Sequence, residues 1–272
     1  MTAQIWLART GATPRRAQQW WVLTARMIIP AAQSGEMLTS ILAPAAFTAS
    51  FYIPLKTIMT FTGTGFSSYA QFMMPLVILQ AAAFTAVSAA FRAASDAVAG
   101  LNRRFGSMPI GALVPATARL CGNVFRLAIA LASALVCGHV IGFRFYLGAA
   151  RTAEFLLFSI LVGMALILAA DVIGTASRSP ETTAQALVLP PLIFGMLSTG
   201  LAPANQFPSW VQPFVRNQPV SQWSSALRAL AGDRLPHGAP VSVSTMTPPI
   251  VWAVAILVVC LCFSIRLGKE RS

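Results

Sequence analysis

Charged side chains are scarce in this sequence, and acidic ones are scarcest. Only 10% of the 272 residues are charged, with seven Asp and Glu against 19 Lys and Arg, whereas an ordinary soluble domain has roughly 25% charged residues. This shortage excludes an ordinary soluble protein. A basic nucleic-acid binder is also disfavoured, because it would be far more polar than a chain with 56% apolar residues.

Sequence motifs for catalysis and metal binding are absent as well. There is no G-x-x-x-x-G-K-[ST] phosphate loop, and neither G-x-S-x-G nor H-E-x-x-H occurs. The four cysteines lie in apolar runs without the spacing of a metal site. We therefore expect no catalytic residue, no metal site and no cofactor bound by this chain.

Long apolar segments are what the sequence has instead. A membrane-spanning helix needs about 20 mostly apolar residues, because only an internally hydrogen-bonded backbone can cross hydrocarbon. Segments of this kind lie at 37–55, 69–91, 120–143, 153–173, 183–203 and 248–265. In the fourth, the uncharged stretch Phe155–Ala170 has only 16 residues, so a carboxylate must lie near each interface. The sequence predicts an all-α integral membrane protein with six transmembrane helices in a single domain, 1–272.

Basic residues outside the spans predict the orientation. If both termini are cytoplasmic, 12 Lys and Arg lie inside and six lie outside, with Arg126 in the third span. This ratio favours a multi-pass protein of the inner (cytoplasmic) membrane with both termini in the cytoplasm. Arg126 either extends toward the inner interface or contacts substrate or a lipid headgroup.

The segment at 13–30 has two faces at helical spacing. Trp20 and Trp21 share an apolar stripe, and Arg15 and Arg26 lie opposite. Tryptophans beside arginines are typical of a helix lying in the lipid headgroup layer, where they anchor the chain at the interface. The alternative is the aromatic core stripe of a soluble helix.

The predicted extracellular region at 204–247 is long, aromatic and poor in charge. This composition favours short helices partly inserted into the outer leaflet before the last span, whereas a plain extracellular loop would be more polar. Such a region would line or cover the exit path of a hydrophobic substrate. The candidate path residues are Phe194, Ser198, Trp210, Phe214 and Trp223.

The predicted cytoplasmic loop at 92–119 carries a motif. Asp96, Gly100, Arg103, Arg104 and Phe105 are followed by Ser-Met-Pro-Ile at 107–110. This pattern resembles the loop of ABC-2 type permeases, in particular the daunorubicin-resistance subfamily.

The outer region extends the resemblance to nearly the whole chain. The matching positions are Phe194, Ser198, Gly200, Pro203, Pro208, Trp210, Asn217, Pro219 and the Ala-Leu-Arg-Ala-Leu run at 226–230. Gln218 departs from the pattern, because the family often has Asn and Pro adjacent at this point. The overall pattern is most similar to permeases that export phthiocerol dimycocerosate lipids and to anthracycline exporters.

The resemblance implies that the cytoplasmic loop forms a short coupling helix in a groove of a separate ATP-binding subunit. Ser95 or Asp96 can cap a helix that runs to about Phe105, with basic residues near its C-terminal end. The expected contacts with the ATPase subunit are Ser95, Asp96, Gly100, Leu101, Arg103, Arg104 and Phe105. The residues alone also fit an ordinary solvated basic loop.

The function implied is that of a membrane-spanning permease of an ATP-driven exporter. Its partners would be two copies of an ATP-binding subunit, which holds ATP and Mg²⁺, a second permease in a heterodimer, and membrane lipids, with no nucleic acid. The substrate would be hydrophobic or amphipathic, either a complex lipid of the dimycocerosate type or an antibiotic.

Two other functions compete. An ion-coupled secondary transporter would need carboxylates at mid-membrane depth and an inverted repeat. An intramembrane lipid-modifying enzyme would need His, Asp or Glu clustered at one interface. The sequence shows neither pattern.

Overall fold

The computed structural model describes residues 35–62, 67–101, 114–177, 179–233 and 241–269, and within them the regular structure is helical with no strand. The helices of these ranges are α1 (Glu36–Thr62), α2 (Tyr69–Val98), α3 (Val114–Ile141), α4 (Gly148–Ala176), α5 (Pro180–Met196), α6 (Gln212–Asn217), α7 (Pro219–Ala231) and α8 (Val243–Lys269). A 3-10 turn at Ala204–Gln206 precedes α6. The predicted all-α class is confirmed.

Five helices of the described ranges, α1 to α4 and α8, are long and apolar enough to cross a membrane. They coincide with the first four predicted segments and the last. Helix α5 coincides with the fifth segment but has only 17 residues. At about 1.5 Å per residue it is about 25 Å long, near the lower limit for crossing hydrocarbon. The chain is a multi-pass membrane protein, and α5 as the sixth span stays a prediction.

The predicted end of the fifth segment is wrong, because α5 stops at Met196 and residues 197–203 form turns. Buried Gln218 contacts this helix end. Its side-chain Nε2 donates to the carbonyls of Phe194, at 3.0 Å, and Leu197. These carbonyls at the end of a helix lack partners within it. The residue that departs from the family pattern therefore caps the end of this helix.

The predicted loop boundaries also need correction. Helix α2 continues through the predicted loop start at residue 92 as far as Val98, because its alanine-rich sequence favours helix. Helix α3 begins at Val114, before the predicted loop end. Helix α8 begins at Val243 inside the predicted extracellular region, because the Ser242 hydroxyl accepts a hydrogen bond from the Thr245 N–H at 3.3 Å.

Helix α4 extends beyond its uncharged stretch at both ends. Near its start, Arg151 and Glu154 form an exposed ion pair at 2.6 Å. Near its end, Asp171 lies 3.8 Å from Arg119 of α3. The two carboxylates thus lie near opposite ends of the span, as its short apolar stretch requires.

Helix α2 is the centre of the bundle. Every residue from Tyr69 to Ala83 is buried, and α2 contacts α1, α3, α4, α5 and α7. A helix surrounded on all sides is apolar all round, and the sequence of α2 has no charge before Arg92.

Small residues set the closest helix approaches. A Cβ added at Gly174 of α4 would lie 2.3 Å from the carbonyl oxygen of Ala90 in α2. A Cβ at Gly163 would meet Leu127 of α3 at 2.6 Å. Both positions permit the tight packing that holds helices together where burial of apolar surface gives little driving force.

Polar contacts mark the two ends of the bundle. Ser67 N–H donates to Asp233 at 2.8 Å, and Gln71 Nε2 donates to the Gly232 carbonyl at 2.6 Å. We call this the outer end, after the predicted orientation. The opposite, inner end carries the Arg119–Asp171 pair.

Candidate functional site

Part of the predicted site lies outside the described residues. This applies to the interfacial helix at 13–30 with its anchors Trp20, Trp21, Arg15 and Arg26, and to the loop residues Arg103, Arg104 and Phe105. The remaining predicted residues fall at the two ends of the bundle.

The prediction that Ser95 or Asp96 caps a separate coupling helix is wrong. Both residues lie in the last turns of α2, which continues to Val98. The Ser95 hydroxyl donates back to the Phe91 carbonyl at 2.9 Å, so it is already used within α2. At Gly100 the backbone adopts φ +68°, a conformation that glycine tolerates and that turns the chain away from the helix. Leu101, half-buried, follows directly.

The inner end contains a group of polar and charged side chains from three helices, which we call the inner cluster. Its members are Arg92 and Asp96 of α2, Arg119 and Asn123 of α3, and Asp171 of α4. Arg92 Nη2 donates to Asn123 Oδ1 at 3.0 Å. Asp96 interacts electrostatically with Arg92, Arg119 and Asp171. Sequence reasoning missed this cluster, although charges near the same end of successive spans were a signal for it.

At the outer end, α7 lies on the bundle with one face buried. Trp223 is 2% exposed, and its indole N–H donates to the carbonyl of Pro249 in α8 at 3.0 Å. A buried indole nitrogen needs such a partner. A short helix does precede the last span, as predicted, and its extracellular location and partial insertion into the outer leaflet stay predictions.

Arg228 fixes α7 to the start of α2. Its Nε donates to the Phe72 carbonyl at 2.8 Å, and its guanidinium carbon lies 3.9 Å from the centre of the Phe72 ring. A further bond reaches the Thr199 carbonyl at 2.5 Å. Burial lowers the pKa of the Arg228 guanidinium to about 9, which leaves it protonated at neutral pH.

Gln71 joins the outer loops to one another. Its Nε2 donates to the carbonyls of Arg144, at 3.0 Å, and Gly232, at 2.6 Å. Its Oε1 accepts from the Arg144 N–H at 3.2 Å. One buried amide of α2 therefore holds the loop between α3 and α4 against the end of α7.

The five candidate exit residues do not form one surface. Ser198 is fully buried and donates to the Gly195 carbonyl at 2.6 Å, and Trp223 is also buried. These two act in packing, so their assignment to an open path is not supported. Phe194 and Phe214 remain partly exposed with ring centres 6.1 Å apart, and Trp210 is 83% exposed.

A buried polar side chain lies about midway along α2. Gln80 is 3% exposed, and its Nε2 donates to the Pro191 carbonyl of α5 at 2.9 Å. Its Oε1 has no hydrogen-bond partner among the described residues. Beside it runs a narrow crevice lined mainly by apolar side chains, among them Phe47, Phe51, Leu76, Met196 and Leu201.

The described part of the chain contains no cluster of side chains suited to bind a metal ion. No group of three or more His, Cys, Asp or Glu side chains is placed there to hold a metal ion. The four cysteines are free thiols.

Comparison with known proteins identifies relatives along most of the sequence, although no family model matches the chain. The doxorubicin resistance ABC transporter permease protein DrrB of Mycobacterium tuberculosis is 46% identical over 247 residues, covering 89% of this chain and 86% of that protein. The "Probable doxorubicin resistance ABC transporter permease protein DrrC" of the same organism is 32% identical over 201 residues, covering 74% and 70%.

A more distant relative comes from another genus. The daunorubicin resistance ABC transporter permease protein DrrB1 of Streptomyces coeruleorubidus is 28% identical over 187 residues, covering 65% of each chain. All three relatives are named as ABC transporter permeases. The chain therefore belongs to the ABC-2 type transporter permeases, in the doxorubicin and daunorubicin resistance subfamily.

Proposed function

We propose that this permease is the membrane half of an ATP-driven exporter that moves a hydrophobic or amphipathic substrate outward across the cytoplasmic membrane. The observation that carries the proposal is the 46% identity to a doxorubicin resistance permease over 89% of the chain. The substrate is either an antibiotic, as the relatives' names indicate for those proteins, or a complex lipid of the dimycocerosate type.

The energy comes from a separate ATP-binding subunit, which holds ATP and Mg²⁺. The sequence supports this, because it contains no phosphate loop of its own. Two copies of that subunit serve two permeases. The DrrB and DrrC relatives, both named as permeases of one organism, support a heterodimer of similar chains. Both termini lie in the cytoplasm.

The placement of acidic side chains supports ATP coupling over ion coupling. Ion-coupling sites in transporters usually lie near mid-membrane. Among the side chains that the structure describes, the acidic groups lie near the ends of helices instead, at Asp96, Glu154, Asp171, Glu181 and Asp233. The buried polar groups near the middle of α2 are neutral, the amide of Gln80 and the hydroxyl of Thr85. This arrangement favours a permease whose motion is driven from its inner end.

Co-purification with the candidate ATP-binding subunit tests the coupling role of the inner loop. We expect Phe105→Glu and Arg104→Glu to weaken the complex and to uncouple ATP hydrolysis from export, since both place a negative charge on the proposed contact. Arg216→Glu is the matched control, because Arg216 is exposed on α6 at the outer end. Unchanged complex formation and coupled turnover in the two loop variants would contradict the proposed contact.

Two assays separate the substrate classes. Inside-out vesicles that carry the complex measure ATP-dependent accumulation of doxorubicin, and extraction of surface lipids from cells with and without the gene measures lipid export. Accumulation of the drug supports the antibiotic, and loss of a surface lipid supports the lipid. A complex that supports neither transport would contradict the proposed function.

A further inference from the structure

The inner cluster lies where the two stems of the inner loop meet a third helix. Asp96 lies just before the end of α2, and Arg119 lies near the start of α3. These helices lead into and out of the loop that contains residues 102–113. Asp171 belongs to α4, which is not one of the two helices that flank this loop. The cluster is thus a polar contact between both stems and a helix elsewhere in the chain.

The ion pair in this cluster is partly buried and long. Arg119 Nη2 lies 3.8 Å from Asp171 Oδ2, with side chains 21% and 18% exposed. Arginine–carboxylate hydrogen bonds are typically about 2.7–2.9 Å long. The Arg119 Nε and Nη1 atoms are buried without a hydrogen-bond partner among the described residues. A buried donor without a hydrogen-bond partner costs free energy. The guanidinium therefore has donors left for closer bonds to a carboxylate after a small shift of α3.

A second carboxylate is available to the same guanidinium. Asp96 is attracted by the opposite charges of Arg119 and Arg92 and repelled by the like charge of Asp171. Charge interactions in a partly dehydrated site are stronger than in water and vary with separation. A displacement of the stems therefore changes the distances between Arg119 and the two carboxylates. It thereby changes the strength of the attraction between α3 and α4.

Helix α4 extends from the inner cluster to the outer end. There the loop that precedes it bonds α7, with the Tyr146 N–H donating to the Ala231 carbonyl at 2.9 Å. Beyond Asp171, at the inner end of α4, Gly174 lies against Ala90 of α2, so α2 and α4 touch backbone to backbone close to the cluster. A displacement at Asp171 would therefore act on a helix that packs against α2 at its inner end and is joined to α7 at its outer end.

We propose that Asp96, Arg119 and Asp171 form an ionic linkage that passes movement of the inner loop to α4, and so act as positioning residues for export. This inference rests on the proposed function, because it presumes that an ATP-binding subunit moves the loop. The linkage joins both stems to α4 and keeps them in register while the loop moves.

The test compares export with ATP hydrolysis in the whole complex. Asp171→Asn and Arg119→Gln each remove one charge and keep a similar side-chain size. We expect both complexes to retain the ATP-binding subunit and basal ATP hydrolysis, while ATP-dependent accumulation of doxorubicin in inside-out vesicles falls by about tenfold. The double swap, Arg119→Asp with Asp171→Arg, should recover part of this loss because it restores opposite charges.

Helix α4 supplies its own control. Glu154 pairs with Arg151 at 2.6 Å near the outer end, three residues apart on the same helix. Glu154→Gln removes a charge from α4 as Asp171→Asn does, but far from the stems, and should leave export unchanged. Arg119→Lys keeps the charge and should retain export. If Asp171→Asn does not fold, the comparison of Arg119→Gln with Arg119→Lys decides the question.

The outcomes separate this inference from the proposed function. Wild-type levels of accumulation in Asp171→Asn and Arg119→Gln, or an equal loss in Glu154→Gln, would overturn the linkage while export by the wild type stands. Wild-type vesicles that accumulate no doxorubicin would overturn the antibiotic substrate, and the same variants are then compared by surface-lipid extraction. A wild-type complex that exports neither overturns the proposed function and the linkage with it.

Discussion

Single glycines decide how closely the spans approach one another. Gly174→Ala would place a Cβ 2.3 Å from the Ala90 carbonyl oxygen, which forces α2 and α4 apart. We expect a loss of about 1–3 kcal/mol in the free energy of unfolding, the usual cost of overpacking. Thermal unfolding of the purified protein in detergent measures it. Gly35→Ala is the control, since a Cβ there meets nothing within 4 Å, and equal midpoints for the two variants would contradict the close contact.

The tryptophans of the outer region differ in role, although sequence alone treats them alike. Trp223→Phe keeps an aromatic ring but removes the 3.0 Å hydrogen bond from the buried indole to the Pro249 carbonyl. We expect destabilisation by about 1–3 kcal/mol. Trp210 is 83% exposed, so Trp210→Phe should leave the unfolding midpoint unchanged. An equal shift in both variants would show that the indole bond contributes nothing.

The attachment of the short helix α7 to α2 at the outer end depends on the side chain of Arg228. Arg228→Lys keeps the positive charge but loses the planar fork that reaches Phe72 and Thr199. We expect α7 to loosen from α2, with a lower unfolding midpoint and faster proteolysis of the outer region. Arg216→Lys is the matched change at an exposed position. Identical proteolysis of the two variants would argue against Arg228 as a tether.

Helix boundaries were less predictable than helix positions. The apolar segments indicated where the long helices lie, because a spanning helix requires a continuous apolar run. They did not show where α2 ends, since Ser95 and Asp96 are compatible both with a cap and with a helix interior. Nor did they show that Gln218, distant in sequence, caps the end of α5 with its side chain.

The predicted six-span topology of the whole molecule places the inner loop and the outer region on opposite sides of the membrane. Reporter fusions after Arg103 and after Asn217 should therefore give opposite locations, because the excess of basic residues lies on the inner side. Activity of paired cytoplasmic and periplasmic reporters at each position measures this. The same location for both fusions would contradict the six-span topology, in which α5 has to cross despite its 17 residues.

The candidate site was only partly predictable from the sequence. The inner loop was identified by its motif, and the outer region by its aromatic residues. The burial of Ser198 and Trp223 was not predictable, because their neighbours in space come from other helices. The same reason hid the pairing of Arg119 with Asp171, whose residues are 52 positions apart.

The sequence by itself determined that this protein is an apolar helical bundle in a membrane, how its basic residues favour one orientation, and which family it resembles. These properties follow from composition and local pattern, which the chain carries at every position. Only the tertiary structure decided that α2 is the central helix and that three helices bring their charges together at the inner end. Lipid and protein interior are both apolar, so hydrophobic periodicity does not distinguish a helix face that meets lipid from one that meets another helix.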